Sequence, residues 1–192
     1  FKKLRGKGRL KESDVKAFDN VLEMMSDYPY AVFALLLNEG EVDLGTPKRQ
    51  GKFAKKYADR ENAFIIGRGL DYAVAMEASL KLKEISYVHA EGYAAGELKH
   101  GTISLISDST PVIAVATQEK IFEKTLSNIK EVKARGAFVV AICFEKDKDR
   151  LSCCDEIITL PDAPDFLSVS LSVVPLQLLA YHCALLLGND ID

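Results

Sequence analysis

The sequence lacks a strong excess of either charge and any apolar run long enough to span a membrane. Lysine and arginine together number 25, against 28 aspartates and glutamates, which gives a net charge of −3. This balance gives no reason to expect nucleic acid or an acidic membrane surface as a partner. The longest apolar runs, such as "YAVFALLL" at 30–37, are well short of the roughly 20 residues that cross a bilayer. The sequence shows no signal peptide and begins at Phe1 rather than Met, so we expect a fragment of a longer protein.

The four cysteines show no C-x-x-C spacing. Cys143 and Cys183 lie in apolar runs, where we expect them to act as small core residues. Cys153 and Cys154 are adjacent, but no histidine lies near them to complete a zinc site. The cysteines therefore predict a reduced, cytoplasmic protein and no bound metal.

The chain shows no internal repeat, and its character changes near Asp59. We predict a helical connecting segment over 1–56, with a first helix that begins at Ser13 or Asp14. Within it, 28–50 is turn-rich and receives no assignment. From 57 to 192 strands and helices alternate: strands at 63–67, 111–117, 137–144 and 156–161, and helices at 71–87, 119–136 and 167–188. Buried Val/Ile strands that alternate with helices predict an α/β fold, a parallel sheet covered on both faces.

A short glycine turn, Gly67-Arg68-Gly69, joins the first of these strands to the next helix. A dinucleotide fingerprint would need a third glycine where Tyr72 stands, so no nicotinamide or flavin cofactor is expected. Glycine at the start of a helix can also admit an anion. A tight turn that needs glycine for its backbone geometry is the favoured interpretation, and the anion site stays open.

The helix after this turn carries a row of charged residues. Glu77, Lys81 and Glu84 fall at i, i+4 and i+7, on one face of the helix, while the apolar side faces the sheet. A solvated face with a modest ion pair is the simplest interpretation. Because the helix follows the glycine turn, we expect it to border a ligand crevice at the carboxyl ends of the strands.

The segment "HAEGYAAGELKHG" at 89–101 follows this helix, and we predict it to be a loop rich in ionisable groups. An aldose–ketose isomerase needs such groups. A base moves a proton between neighbouring carbons, and a histidine opens the sugar ring. A lysine stabilises negative charge on a substrate oxygen.

The stretch "GRGLDYAVAMEASLKLKEISYVHAEGYAAGELKHG" at 67–101 resembles the second sugar isomerase (SIS) domain of the glutamine–fructose-6-phosphate aminotransferases, or glucosamine-6-phosphate synthases. The likeness continues through "NIKEVKARG" and "VVPLQLLAYHCALLLGNDID". It implies a three-layer sandwich with a flavodoxin-like sheet. It also implies a cytoplasmic enzyme without metal or dissociable coenzyme, which converts fructose 6-phosphate and glutamine-derived ammonia to glucosamine 6-phosphate.

The resemblance also implies roles for individual residues. Glu84 is the base that shuttles a proton between C2 and C1 of the sugar. His100 assists ring opening, and reaches the site from the neighbouring subunit of a homodimer. Glu77 and Lys81 support Glu84 and the substrate oxygens. His89 and His182 take no catalytic role, and His182 is expected to be a core or interface histidine.

Several parts of the family's site are missing from the sequence. No serine- and threonine-rich phosphate loop, glutaminase cysteine or lysine-bearing C-terminal tail is present, so we expect residues 57–192 to be an SIS domain that is inactive alone. A stand-alone isomerase would need the phosphate loop. A non-catalytic domain that senses a sugar phosphate remains the alternative, although Glu84 with His100 argues against it.

Overall fold

The computed structural model describes residues 62–189. The predicted connecting segment over 1–56, including the turn-rich part at 28–50, lies outside the described residues. Within the described part, no helix is both long and apolar enough to cross a bilayer.

Between residues 62 and 189, five parallel strands form one sheet in the order β2-β1-β3-β4-β5. They are β1 (Asn62–Gly67), β2 (His89–Ala94), β3 (Pro111–Val115), β4 (Phe138–Phe144) and β5 (Glu156–Leu160). Strand β1 lies inside the sheet, and the chain continues from it to the edge strand β2. It then crosses to the other side of β1, where β3, β4 and β5 follow in order. This is the flavodoxin-like strand order, so the predicted fold is confirmed.

Within the described residues, three α-helices cover the sheet: α1 (Leu70–Lys81), α2 (Phe122–Lys133) and α3 (Ser168–Leu187). Short 3₁₀ segments fill the connections at Ala95–His100, Thr102–Leu105, Glu119–Ile121, Glu145–Leu151 and Asp165–Leu167. Alternate residues of β1 point to opposite faces. Ile65 packs in one core with residues of α1 and α3, whereas Ile66 packs in a second core with residues of α2. The predicted three-layer arrangement is therefore confirmed.

The prediction of a loop from His89 onward is wrong, because residues His89–Ala94 form the edge strand β2. This strand pairs with β1 along all six residues. Gly92 allows the close approach to α1, since a Cβ there would lie 2.8 Å from the carbonyl oxygen of Ala75. Ala90 faces the core, while its neighbours on the strand are polar or small, so the segment has no strong apolar signal.

The predicted helix at 71–87 is two different helices joined end to end. The α-helix ends at Lys81, and the chain widens into a π segment, Leu82–Ser86. The segment stops at Tyr87, whose φ of 58° is left-handed. The Ser86 hydroxyl donates to the carbonyl of Leu82 at 2.6 Å. Such π turns are rare and occur often at functional sites.

Cys143 and Cys183 are fully buried thiols, as predicted for core residues. Burial raises the pKa of each to about 12, which leaves both thiols protonated and unreactive at neutral pH.

Candidate functional site

The glycine turn at the carboxyl end of β1 is packed too tightly for any other residue at its first position. A Cβ on Gly67 would lie 2.3 Å from the backbone oxygen of Asp71. Asp71 itself is fully buried. Its carboxylate accepts hydrogen bonds from the backbone N–H of Thr117 at 2.9 Å and from the Thr117 hydroxyl. Burial raises the pKa of Asp71 despite these bonds to Thr117.

The contact between Asp71 and Thr117 limits where a ligand could bind. In a flavodoxin-like sheet, the crevice between β1 and β3 is where ligands usually bind. Here the carboxylate of Asp71 bridges the ends of those two strands and takes up the N–H of Thr117. The geometry supports the tight-turn interpretation of Gly67-Arg68-Gly69 over the anion site.

The row of charged residues on the helix forms as its spacing predicts, and we call Glu77, Lys81 and Glu84 the acid–base row. The ammonium of Lys81 lies 2.7 Å from the Glu84 carboxylate and 3.8 Å from that of Glu77. The hydrogen bond to Glu84 is the largest contribution that raises the pKa of Lys81, and the charge of Glu77 adds to it. All three side chains are 33–47% exposed, so a substrate can reach them.

The expected link between this row and the glycine turn does not hold. Glu84 follows Leu70, the first residue of α1, by fourteen positions, which corresponds to about 20 Å along a helix axis. Because α1 runs back across the sheet, the row lies toward the amino ends of the strands. The acid–base row therefore lies apart from the crevice in which this fold usually binds ligands.

His100 lies in a different layer from the acid–base row. It ends the 3₁₀ segment whose residues Ala95 and Leu98 pack in the core on the α2 side of the sheet. Its ring is 3.9 Å from the carboxylate of Glu97, and its side chain is 73% exposed. The structure thus brings Glu77, Lys81 and Glu84 together within the chain, and leaves His100 facing outward from the opposite layer.

A second polar cluster lies along β2 and was missed by the sequence reasoning. His89 Nδ1 is 2.7 Å from the side-chain oxygen of Asn62, and the Tyr93 hydroxyl donates to Glu91 at 2.5 Å. The hydrogen bond to Glu91 raises the pKa of Tyr93. The spacing of His89, Glu91 and Tyr93 could have indicated this cluster, because every second residue of a strand lies on the same face.

A groove of about 530 Å³ opens beside this cluster, at the amino ends of β1, β2 and β3. Its lining residues are Asn62, Ala63, Phe64, His89, Glu91, Leu105, Ser107, Asp108, Thr110 and Pro111. None of the four predicted catalytic residues is among them. Within residues 62–189, no group of three or more His, Cys, Asp or Glu side chains is placed to hold a metal ion.

His182 is part of α3, where its ring lies 5.5 Å from that of Tyr181, edge to face. The side chain is partly buried, and burial lowers its pKa. This partly buried environment fits the predicted core or interface histidine and favours the neutral ring.

Comparisons with known proteins agree with this fold. The chain is 56% identical over 141 residues to the glutamine–fructose-6-phosphate aminotransferase (isomerizing) of Caldanaerobacter subterraneus subsp. tengcongensis, an alignment that covers 73% of this chain. It is 40% identical to the protein of the same name from Clostridium perfringens over all of this chain. The chain spans only 23% and 30% of the lengths of these two relatives.

Solved structures are also similar to this chain. The C-terminal domain of glucosamine-fructose-6-phosphate aminotransferase from Francisella tularensis matches with a TM-score of 0.79 at 33% identity, over 95% of this chain and 49% of that one. The sugar isomerase domain of an RpiR transcription factor from Sphaerobacter thermophilus matches with a TM-score of 0.69 at 12% identity, over 87% of this chain and 90% of that one, which shows a shared fold alone.

The family model of the SIS domain matches residues 56–187, which covers most of the chain. The parallel sheet, its strand order and the helices on both faces agree with that match. The chain belongs to the SIS domain family.

Proposed function

We propose that this chain is the second SIS domain of a glutamine–fructose-6-phosphate aminotransferase (isomerizing), and that it supplies the acid–base groups for the isomerisation to glucosamine 6-phosphate. The observation that carries the proposal is the acid–base row itself, an accessible carboxylate–ammonium–carboxylate set in contact. It occurs in a chain that is 40% to 56% identical to aminotransferases of this name.

In the proposed mechanism, Glu84 removes a proton from the carbon next to the carbonyl-derived centre and returns it to the neighbouring carbon. A carboxylate suits this shuttle because it is ionised at neutral pH and can carry one proton between adjacent atoms. Lys81 stabilises the negative charge that develops on the substrate oxygen. Glu77 holds Lys81 from its other side, at 3.8 Å, so that the ammonium stays beside Glu84.

The layer arrangement supports a site made from two copies of the chain. Glu84 and His100 lie on elements that pack against opposite faces of one sheet. The His100 side chain is 73% exposed and points away from its own core. We therefore propose a homodimer in which His100 of one copy assists ring opening at the acid–base row of the other.

The substrate phosphate is proposed to bind outside the described residues. The helix N-terminus at the β1–β3 crevice is closed by Asp71, a carboxylate that would repel a phosphate. A sensor of sugar phosphates would depend most on such a phosphate site, whereas this chain offers proton-transfer groups instead. This contrast favours the enzymatic role. The free thiol of Cys143 suits the cytoplasmic setting that we propose for the enzyme.

The test is Glu84→Gln in the longer aminotransferase, because glutamine keeps the shape of glutamate and removes the base. We expect glucosamine 6-phosphate formation to fall by roughly 10²- to 10⁴-fold, the usual contribution of a general base. The matched control is Glu145→Gln, since Glu145 is likewise an exposed partner of a lysine three residues away, at 3.6 Å from Lys148. Full synthesis by the Glu84→Gln enzyme would show that the proposed shuttle is wrong.

A further inference from the structure

We propose that Asn189 is a positioning residue for Glu84, because its side chain joins the end of α3 to the π segment on which Glu84 stands. The side-chain N–H of Asn189 donates to the carbonyl of Ile85 at 3.3 Å, across 104 residues of sequence. Ile85 directly follows Glu84 in the chain. The catalytic meaning of this contact rests on the proposed function, whereas the contact itself does not.

The π segment needs a hydrogen-bond donor from outside at this position. The last carbonyls of any helix have no partner further along the helix. Here the segment ends abruptly, since Tyr87 takes a left-handed conformation and the chain turns into β2. Ile85 is one of the last residues of the segment, and its side chain packs against the core that α1 and α3 share. Asn189 therefore satisfies a carbonyl where the helix itself cannot.

Asn189 is held in place by the way α3 ends. Gly188 has a φ of 71°, and the backbone N–H of Asn189 donates to the carbonyl of Ala184 at 3.0 Å. This is the six-to-one bond of a Schellman motif, which glycine favours at its left-handed position. The backbone bond fixes the position of the Asn189 Cα. The carboxamide therefore reaches Ile85 with little loss of side-chain conformational entropy.

The consequence for Glu84 follows from the geometry of the segment. A π turn holds more residues than an α turn. If Leu82–Ser86 relaxed to an α-helix, Glu84 would rotate about the helix axis relative to Glu77 and Lys81. The Asn189 contact opposes this relaxation from the side of α3. The short 2.7 Å contact between Lys81 and Glu84 is the feature that such a rotation would change first.

The test uses Asn189→Asp in the full 192-residue chain, because aspartate has nearly the same shape but cannot donate to a carbonyl. Amide hydrogen exchange followed by NMR should show 85–88 exchanging roughly tenfold faster, since one hydrogen bond is lost locally. Amides of α1 at 70–81 should change by less than about twofold. The pKa of Lys81 should fall, because its bond to Glu84 loosens. Asn62→Asp is the matched control, as Asn62 also bonds through its side chain but to His89.

In the longer aminotransferase, Asn189→Asp should lower kcat by about tenfold while KM changes little, and Asn189→Gln, which keeps the donor, should restore part of kcat. Unchanged exchange at 85–88, or an equal rise throughout the sheet, would overturn the proposal. Exchange and the Lys81 pKa are read without turnover. They therefore remain decisive even if Glu84→Gln shows that the proposed function is wrong.

Discussion

The two ends of helix α1 differ in the burial of their ionisable side chains and in the partners that those side chains bond. At its start, Asp71 is fully buried and bonded to Thr117, and Gly67 is packed against its backbone. At its other end, Lys81 and Glu84 are part-exposed and bonded chiefly to each other. The first end joins strands and leaves no space for a ligand. The second end presents ionisable groups to solvent.

The difference shows that charge on a helix indicates function only when its burial is known. A buried carboxylate with its hydrogen bonds satisfied by the protein has no capacity left for a substrate. An exposed ion pair contributes little to stability, so its groups can be changed with little cost to the fold. Substitutions at the two ends should therefore separate activity from stability.

After Glu84→Gln, the largest expected effect is on activity, from Lys81→Met in the proposed longer aminotransferase. The loss of the cation that we propose stabilises a developing oxyanion should lower kcat by roughly 10²-fold. The melting temperature should scarcely change, since the ammonium is exposed and partners only carboxylates. Steady-state kinetics and calorimetry on the same preparation test both parts. A large fall in melting temperature with kcat unchanged would reverse the comparison between the two ends.

The second effect is on stability, from Gly67→Ala at the opposite end. The new Cβ would meet the backbone of Asp71 at 2.3 Å, a contact that no side-chain rotation relieves. Overpacking of this kind costs about 1–3 kcal/mol in the free energy of unfolding. Urea denaturation of the chain measures it. Gly101→Ala provides a control, because the space around that Cβ is open and any loss there reflects only its φ of 145°.

The sequence predicted the layers of the fold because buried strands and amphipathic helices leave periodic patterns. It did not predict β2, since the segment His89–Ala94 contains one fully buried residue, Ala90, and its one large apolar side chain, that of Tyr93, is only partly buried. The strand exists because β1 offers a free edge and Gly92 lets α1 approach, and both conditions come from tertiary structure.

Only part of the candidate site could be predicted from the periodicity of the sequence. Helical spacing placed Glu77, Lys81 and Glu84 on one face, which the structure shows. The π segment and the bond from Asn189 to Ile85 could not be foreseen, because no residue type signals a π turn and the partners are 104 residues apart. The expected link to the glycine turn is wrong because the length of α1 places Glu84 about 20 Å from that turn.

A third effect concerns pH and the buried carboxylate. Asp71→Ala would leave the N–H of Thr117 without its acceptor, and should cost about 1–3 kcal/mol in the free energy of unfolding. Because burial raises the pKa of Asp71 above its ordinary 3.8, the folded state binds the proton more tightly than the unfolded state. Stability from this group is therefore full at low pH and falls as pH rises from 3.8 through the raised pKa.

Asp71→Asn isolates that pH dependence. Its carboxamide does not titrate, so the stability of the natural chain minus that of the variant should decrease as pH rises through this range. Urea denaturation of both chains at a series of pH values from acid to neutral gives the difference, in which all other titrating groups cancel. A difference that grows with pH would mean that hydrogen bonding outweighs burial at Asp71.

The smallest effect distinguishes the two carboxylates of the acid–base row. The pKa of Lys81 is raised chiefly by its hydrogen bond to Glu84, while Glu77 acts only through its charge from 3.8 Å. Glu84→Gln should therefore lower the pKa of Lys81 toward its ordinary 10.5 by more than Glu77→Gln does. NMR titration of the Lys81 side chain in each variant measures both changes. Equal shifts would mean that the ammonium moves freely between the two carboxylates. In that case the pairing with Glu84, on which the directed proton shuttle depends, does not persist in solution.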